Sequence, residues 1–304
     1  MRFGFTALFG AVVWAFGCGG VEERIENTCP IFPPDNWWNT DISGQPVDPM
    51  SDVYMASLGT DKTVHVGFGK TAGMPYAVVD DAIVKVPVDF EFAGISDPGP
   101  YPIPDNPPIQ PEKNGHDRHV LLVHAEECRL YELFQVYPKE GGGWTAGSGA
   151  IWDLTKNQQR PPAQGSADAA GLSIFPALVK YAEIEAGEMR HAVRFAANKT
   201  QHAYVFPATN FAIGKPDPTL PPMGTRLRLK ANVDVSGLPH GPRVMAEALK
   251  KYGMILADNG PAAPNYYIDG VPDERWDEGD NNKLKEIPMS DFEVVETGPI
   301  TKGY

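Results

Sequence analysis

The sequence predicts a mainly β, β-rich α+β fold: an antiparallel sandwich-like or barrel-like single domain with two or three short helices. Three observations carry this expectation. The 304 residues include 31 glycines and 30 prolines, about a fifth of the chain, which favours short elements joined by turns. YAVVDDAIVKVPVDFEF, HVLLV and RLYELFQVY are strand-like, the first alternating apolar and polar residues with a period of two. One stretch alone, GPRVMAEALKKYG, has a clear helical pattern, starting after Pro242 and closing at Gly253.

The elements follow in order. Residues 1–17 read as an export signal: Arg2, an apolar run, then Ala15-Phe16-Gly17 before Cys18. The run is shorter than the ~20 residues of a spanning helix. Cys18 after a small residue resembles the bacterial lipoprotein box, with Ala15 where leucine is usual, so Cys18 is the expected lipidation point and residues 18–28 a tether. An ordinary cleaved signal is the alternative. Cys29 and Cys128 then remain as an even pair for an oxidising compartment, against the simpler reading of two separate buried thiols. Residues 29–304 form the expected globular domain.

Within it, CPIFPPDNWWNTDISGQPVD reads as an extended wrap, in which Trp37 and Trp38 either pack or stack on sugar rings. Asp48 to Leu58 suggests a short helix. Residues 96–111 hold seven prolines, which forbid a regular ladder and give a stiff loop inside the domain rather than a boundary. HVLLV and RLYELFQVY flank HAEEC as a hairpin, and AIWDL adds a strand. Ser166 to Glu188 reads as helical, with Pro176 early and Gly187 as its stop. HAVRF, HAYVF and TRLRLKANVDV return to strands, and MILADNG is a strand entering a turn.

Several functions are excluded. With 26 basic against 39 acidic residues, a net charge of −13, the chain lacks the cationic surplus of a nucleic-acid binder. VHVGFGKTAG has Gly69-Lys70-Thr71 but Val64 in place of the first P-loop glycine, with Gly73 and Pro75 opposing the helix, so no nucleotide is expected. Gly147-Ser148-Gly149 lacks the flanking glycines of a nucleophile elbow and reads as a hairpin turn. HExxH, EF-hand and CxxC patterns are missing, and neither metal nor cofactor is expected.

Four polar groups remain as candidates. In GHDRHVLLV, strand alternation puts Asp117 and His119 on one face with Leu121 and Val123, where a carboxylate can orient an imidazole. The plain alternative is a polar strand entrance. His116 and His119 form an HxxH pair whose members fall on opposite faces, which disfavours zinc. In DLTKNQQRPPAQGSADAAGLSIFP, the residues Asp153, Asn157, Arg160, Ser166 and Asp168 lie on a Pro- and Gly-rich loop, a common source of reactive groups, although Ser166 or Asp168 could simply cap a helix. In RHAVRF, His191 and Arg194 take opposite faces, and a basic residue in a cleft would pair with a carboxylate or an anionic substrate. Asp258 and Asn259, with Tyr266 and Tyr267, make a weaker rim.

The stretches CPIFPPDNWWNTDI, SDPGPYPIP, GHDRHVLLV, SADAAGLSIFP and ALKKYGMILADNG give the chain a resemblance to a group of exported bacterial proteins over nearly all of residues 29–297. That resemblance implies a shared fold and supplies no reactive residues. Some members of the group bear nucleotide-binding labels, which the failed P-loop does not support.

The resulting expectation is an exported, lipid-anchored enzyme acting on extracellular polysaccharide, as a glycoside hydrolase or a polysaccharide lyase. Asp117 and Asp168 would be the acid/base pair, His119, His191 and Arg194 the orienting or charge-stabilising groups. Trp37, Trp38, Asp153, Asp258 and Asn259 would contact the substrate. A surface lipoprotein that binds glycan or protein through an aromatic platform including Trp144 and Trp276, and a metal-dependent hydrolase around Asp117 and His119, are the competing classes.

Overall fold

The computed structural model describes residues 13–14, 29–111, 117–212, 214–260, 266–296 and 298–303. The expected export signal, Cys18, the tether and His116 lie outside these residues, except that Val13–Trp14 pairs antiparallel with Ala77 and Val78. The fold is β-rich, as the sequence implies.

Besides Val13–Trp14, at the edge of the first sheet, ten strands build two main sheets: β1 (Val64–Val66), β2 (Tyr76–Val79), β3 (Val120–His124), β4 (Arg129–Phe134), β5 (Ser148–Asp153), β6 (Val193–Ala197), β7 (Arg226–Leu229), β8 (Met254–Asn259), β9 (Tyr266–Ile268) and β10 (Phe292–Val294). The first sheet runs β2-β3-β4-β5, with β2 and β3 parallel and the rest antiparallel. The second runs β10-β7-β8-β6-β9-β1, in which β6/β8 and β9/β1 are parallel. Both sheets are therefore mixed, a pairing that alternation alone does not encode. The longer helices are α1 (Ser51–Leu58), α2 (Tyr181–Ala186) and α3 (His240–Lys251).

The expected hairpin forms, with Val120 opposite Leu133 and His124 opposite Arg129. Its strands are covered on both faces. Leu121, Val123 and Leu130 enter the larger core that is shared with the second sheet. Val120, Leu122, Tyr131 and Leu133 enter a smaller core behind it, with Tyr101 and Ile103 of the proline-rich segment. That two-sided burial is why VLLV is a continuous apolar run rather than an alternation. The proline-rich loop is pinned by Asp97, whose carboxylate accepts from the Ile151 N–H at 2.8 Å and from Arg160 at 2.7 Å. On α3, Val244, Met245, Ala248, Leu249 and Tyr252 form the buried stripe. Gly253 closes the helix at φ +72°, where a Cβ would lie 2.2 Å from the Leu227 carbonyl oxygen, so that turn requires glycine.

Three local expectations change. Residues 166–188 are not one helix: a short 3-10 turn at Phe175–Ala177 and the six residues of α2 are its only helical parts, α2 ending at the left-handed Gly187. Upstream, Ser166 and Asp168 spend their side chains on nearby backbone, which competes with helix formation. HAYVF and TRLRLKANVDV supply only Ala203–Tyr204 and Arg226–Leu229 as strand. Ser148 and Gly149 belong to β5 rather than to a turn, and a Cβ on Gly149 would strike the Tyr101 hydroxyl.

The segment 166–178 instead forms a plug between the sheets. Ser148 of β5 donates to the Ser166 carbonyl at 2.7 Å, and the Ala170 N–H donates to Ala257 of β8 at 3.0 Å. Glu132 of β4 accepts from the Ile174 and Phe175 N–H groups, both at 2.8 Å, and from the Trp152 indole at 2.9 Å. Burial pushes the Glu132 carboxyl up to about 7 against these donors.

Cys29 and Cys128 form a disulfide that ties the extended wrap to the hairpin tip. Reduction, or Cys128→Ala, should lower unfolding stability by about 2–5 kcal/mol in urea titrations. Glu132→Leu should cost about 3 kcal/mol or more, because three buried donors lose their acceptor. Since the folded carboxyl titrates higher than the unfolded one, the stability Glu132 contributes is complete below about pH 4.5 and declines as the pH rises to about 7. The difference in stability between wild type and Glu132→Gln, followed across that window, should show this decline.

Candidate functional site

Arg194 is the centre of the site. It lies on β6, between β8 and β9, and its side chain is 3% exposed. Its Nε and Nη2 donate to Oδ2 of Asp168 at 3.0 and 2.6 Å. Its Nη1 donates to Asp269, which follows β9, and Nη2 lies 3.7 Å from Asp258 on β8. Asp168 is fully enclosed, and its other oxygen accepts from the Ala170 N–H at 2.9 Å. Asp269 and Asp258 are 20% and 37% exposed, so the site opens to solvent on their side.

The electrostatics follow from one cation among three carboxylates. Burial opposes the charge on Arg194, but Asp168, Asp269 and Asp258 outweigh it and hold its pKa above the usual guanidinium value. Burial raises both Asp168 and Asp269, with Arg194 opposing. Asp258 is the carboxylate farthest from the guanidinium. Burial, reinforced by the Asp168 charge and opposed by Arg194, pushes it up to about 7. Three carboxylates crowd one guanidinium, so burial and mutual repulsion favour a proton among them, and Asp258, the one farthest from the cation, is accessible to solvent.

His119 approaches from the first sheet. Its Nδ1 is 2.6 Å from the Gln110 side chain and its Nε2 is 3.0 Å from the Ala167 carbonyl oxygen, which can only accept. Burial, and next the charge on Arg194, lowers its pKa to about 4. The ring is thus neutral at physiological pH, its Nε2–H donating to Ala167, and its Nδ1 is satisfied once the Gln110 amide turns its nitrogen toward it. It holds the backbone beside Asp168 and offers no free lone pair for a metal. Asp117 is exposed, and its charge reaches His119, Asp258 and Asp269.

Asp117, His119, Asp168, Arg194 and Asp258 therefore converge, from four separate stretches of chain. Asn259 stands beside them, donating to Thr200 at 3.0 Å and to the Ala197 carbonyl at 3.2 Å. The other candidates are elsewhere. His191 is turned to Glu183, 2.9 Å away, and the two histidines meet no common cleft. Burial alone would raise Glu183; the charges of His191 and Lys180 outweigh it and take it down to about 2. Asp153 pairs with Lys156 at 2.8 Å and accepts from Thr155. Trp37 is 7% exposed and Trp38 0%, its indole donating to Ser173, so neither presents a face to a sugar. Tyr266 is buried as well.

Asp168 also takes a different place from the one expected: both oxygens are used and none faces solvent, so it positions Arg194 instead of meeting a substrate. Asp269, Gln110 and Glu132 were not singled out by the sequence reading. Asp269 follows an apolar strand and precedes a glycine, much as Asp258 follows Met254–Ala257, and that pattern was a usable signal. Gln110 carries no such mark. Compared with protein-family models, curated proteins and solved structures, the chain matches none.

Because removing one partner of a buried pair strands the other charge, Arg194→Met should destabilise the protein by about 3–5 kcal/mol. A double-mutant cycle with Asp168→Asn, read by denaturant unfolding, should give a coupling of about 2 kcal/mol or more.

Proposed function

We propose that the chain is an exported glycoside hydrolase acting on extracellular polysaccharide. The observation that carries this reading is the pairing of two unlike carboxyl groups at one opening: Asp258, protonated near neutral pH, and Asp269, held by Arg194. Two carboxyl groups whose surroundings drive their protonation apart are the requirement for glycosidic cleavage. Asp258 donates its proton to the glycosidic oxygen as the bond breaks. Asp269, hydrogen-bonded to the guanidinium, faces the positive charge that develops on the sugar, and water then adds to the anomeric carbon with its proton passing to the Asp258 carboxylate. Asp168 and His119 hold Arg194 and the plug in place, and Asp117 adds negative potential at the lip.

Elimination on a uronate polymer fits less well. It requires a cation against the substrate carboxylate and a base on the neighbouring carbon. Arg194 spends its guanidinium on Asp168 and Asp269, and His191 is committed to Glu183. A glycan-binding lipoprotein would present an aromatic platform, yet Trp37, Trp38 and Trp276 are buried, which leaves Trp144, half-buried, as the one member of that set with an accessible face. The Cys29–Cys128 disulfide supports an oxidising compartment, in keeping with export through residues 1–17 and a lipid at Cys18.

The test is release of reducing ends from neutral and acidic polysaccharides, with unsaturated uronate followed in parallel. Activity should fall as the pH rises through about 7, because the acid must carry its proton. Asp258→Asn should lose about 10²–10⁴-fold in kcat while remaining folded. Unsaturated product, or an unchanged rate in Asp258→Asn, would overturn the assignment.

A further inference from the structure

We infer that the protein carries a divalent metal site, of the zinc type, at the far end of β3 from His119. Asp81, His124 and Glu127 each place one ligand atom so that all three lie within 4.8 Å of one another. The His124 Nε2 is 3.4 Å from the Asp81 Oδ1 and 3.9 Å from the Glu127 Oε1. Donors bound to zinc at about 2.0–2.1 Å in tetrahedral geometry sit about 3.3 Å apart. Asp81 already stands at ligand spacing from His124, and moving Glu127 inward, from 3.9 Å from His124 and from at most 4.8 Å from Asp81, completes the set. Five residues of strand, about 16 Å, separate this cluster from His119, so the two sites are distinct.

Three features distinguish it from an ordinary acidic surface. His124 is the ligand a transition ion needs and a purely calcium-type site does not, and its side chain is 1% exposed, fixed in rotamer by the sheet. On its other side, Nδ1 lies 3.7 Å from the Glu126 carboxylate, placed to accept the Nδ1 proton once Nε2 binds a metal. The Glu127 N–H also approaches Nδ1, at a long 3.4 Å, a weak contact that yields to that arrangement. Third, the frame is rigid: the adjacent Cys128 is disulfide-bonded to Cys29, and Asp80 closes the neighbouring turn by accepting from the Ala82 N–H at 3.0 Å.

Charge points the same way. Lys85 sits 2.7 Å from both Glu127 oxygens and 2.9 Å from the Tyr131 hydroxyl. It offsets one of the three carboxylates of Asp81, Glu126 and Glu127, leaving two negative charges for a dication to neutralise. The lysine restrains both Glu127 oxygens and the Tyr131 hydroxyl donates to Oε2 at 3.0 Å, so Oε1, the oxygen near His124, keeps a lone pair for the ion. Three protein ligands leave a fourth position for water. Bound metal would clamp the 80–83 turn to the hairpin tip.

The experiment is titration calorimetry of zinc chloride into chelator-treated, disulfide-intact protein, with calcium chloride as the comparison. One zinc ion per chain should bind, with calcium at least ten-fold weaker. Asp81→Asn, on an exposed turn where folding is not at stake, should weaken zinc at least ten-fold. His124→Ala should abolish binding, and Glu126→Gln should weaken it about ten-fold through the histidine tautomer. Absence of zinc binding, or binding unchanged in Asp81→Asn, overturns the inference. Neither result bears on polysaccharide cleavage at Asp258.

Discussion

The ion pair between Arg194 and Asp168 is the constraint around which the rest of the site is arranged. A guanidinium that is 3% exposed has lost its hydration and needs close acceptors to offset that cost, and Asp168 reaches it from the plug, a segment with little regular structure of its own. The pair therefore joins sheet and plug in one step. Hydrogen bonds from Ser148 and to Glu132 and Ala257 then fix the same segment against both sheets. A stretch rich in turn-forming residues becomes as well ordered as a strand because its polar backbone is paired at nearly every point.

This arrangement also sets the chemistry of the opening. Asp168 takes donors on Nε and Nη2 and Asp269 one on Nη1, while Asp258 stands 3.7 Å away, beyond hydrogen-bond distance. The carboxyl groups are thus unlike because their shares of one cation are unlike, with no need for different residue types. His119 contributes indirectly. Held neutral by burial and by the same guanidinium, it fastens the Ala167 backbone and leaves the charge balance among the aspartates undisturbed. The rim residues are the accessible ones, and the groups behind them are spent on position.

Much of this was readable from particular residues. The alternation in GHDRHVLLV correctly turned His119 toward the face of Leu121 and Val123, because a strand reverses its side chains with a fixed period. The helical reading of residues 166–188 did not survive, since local bonds from Ser166 and Asp168 satisfy backbone groups that a helix would have used. Trp37 and Trp38 looked equally suited to sugar or core, and only the second sheet and the plug, packed over them, decide for the core.

The sequence by itself determined the β-rich class, the hairpin of β3 and β4 and the helix α3, and it favoured the pairing of Cys29 with Cys128. Each rests on a period, a breaker or a count, which are properties of neighbouring residues or of the chain's composition. Only the tertiary structure decided that β6 and β8 run parallel, that Asp258 and Asp269 flank Arg194 and that Asp168 lies beneath it. Those facts depend on residues between 26 and 75 positions apart meeting at one guanidinium. Local patterning cannot specify which buried charges will share a partner, because that is settled by sheet order and by the energy of leaving any of them alone.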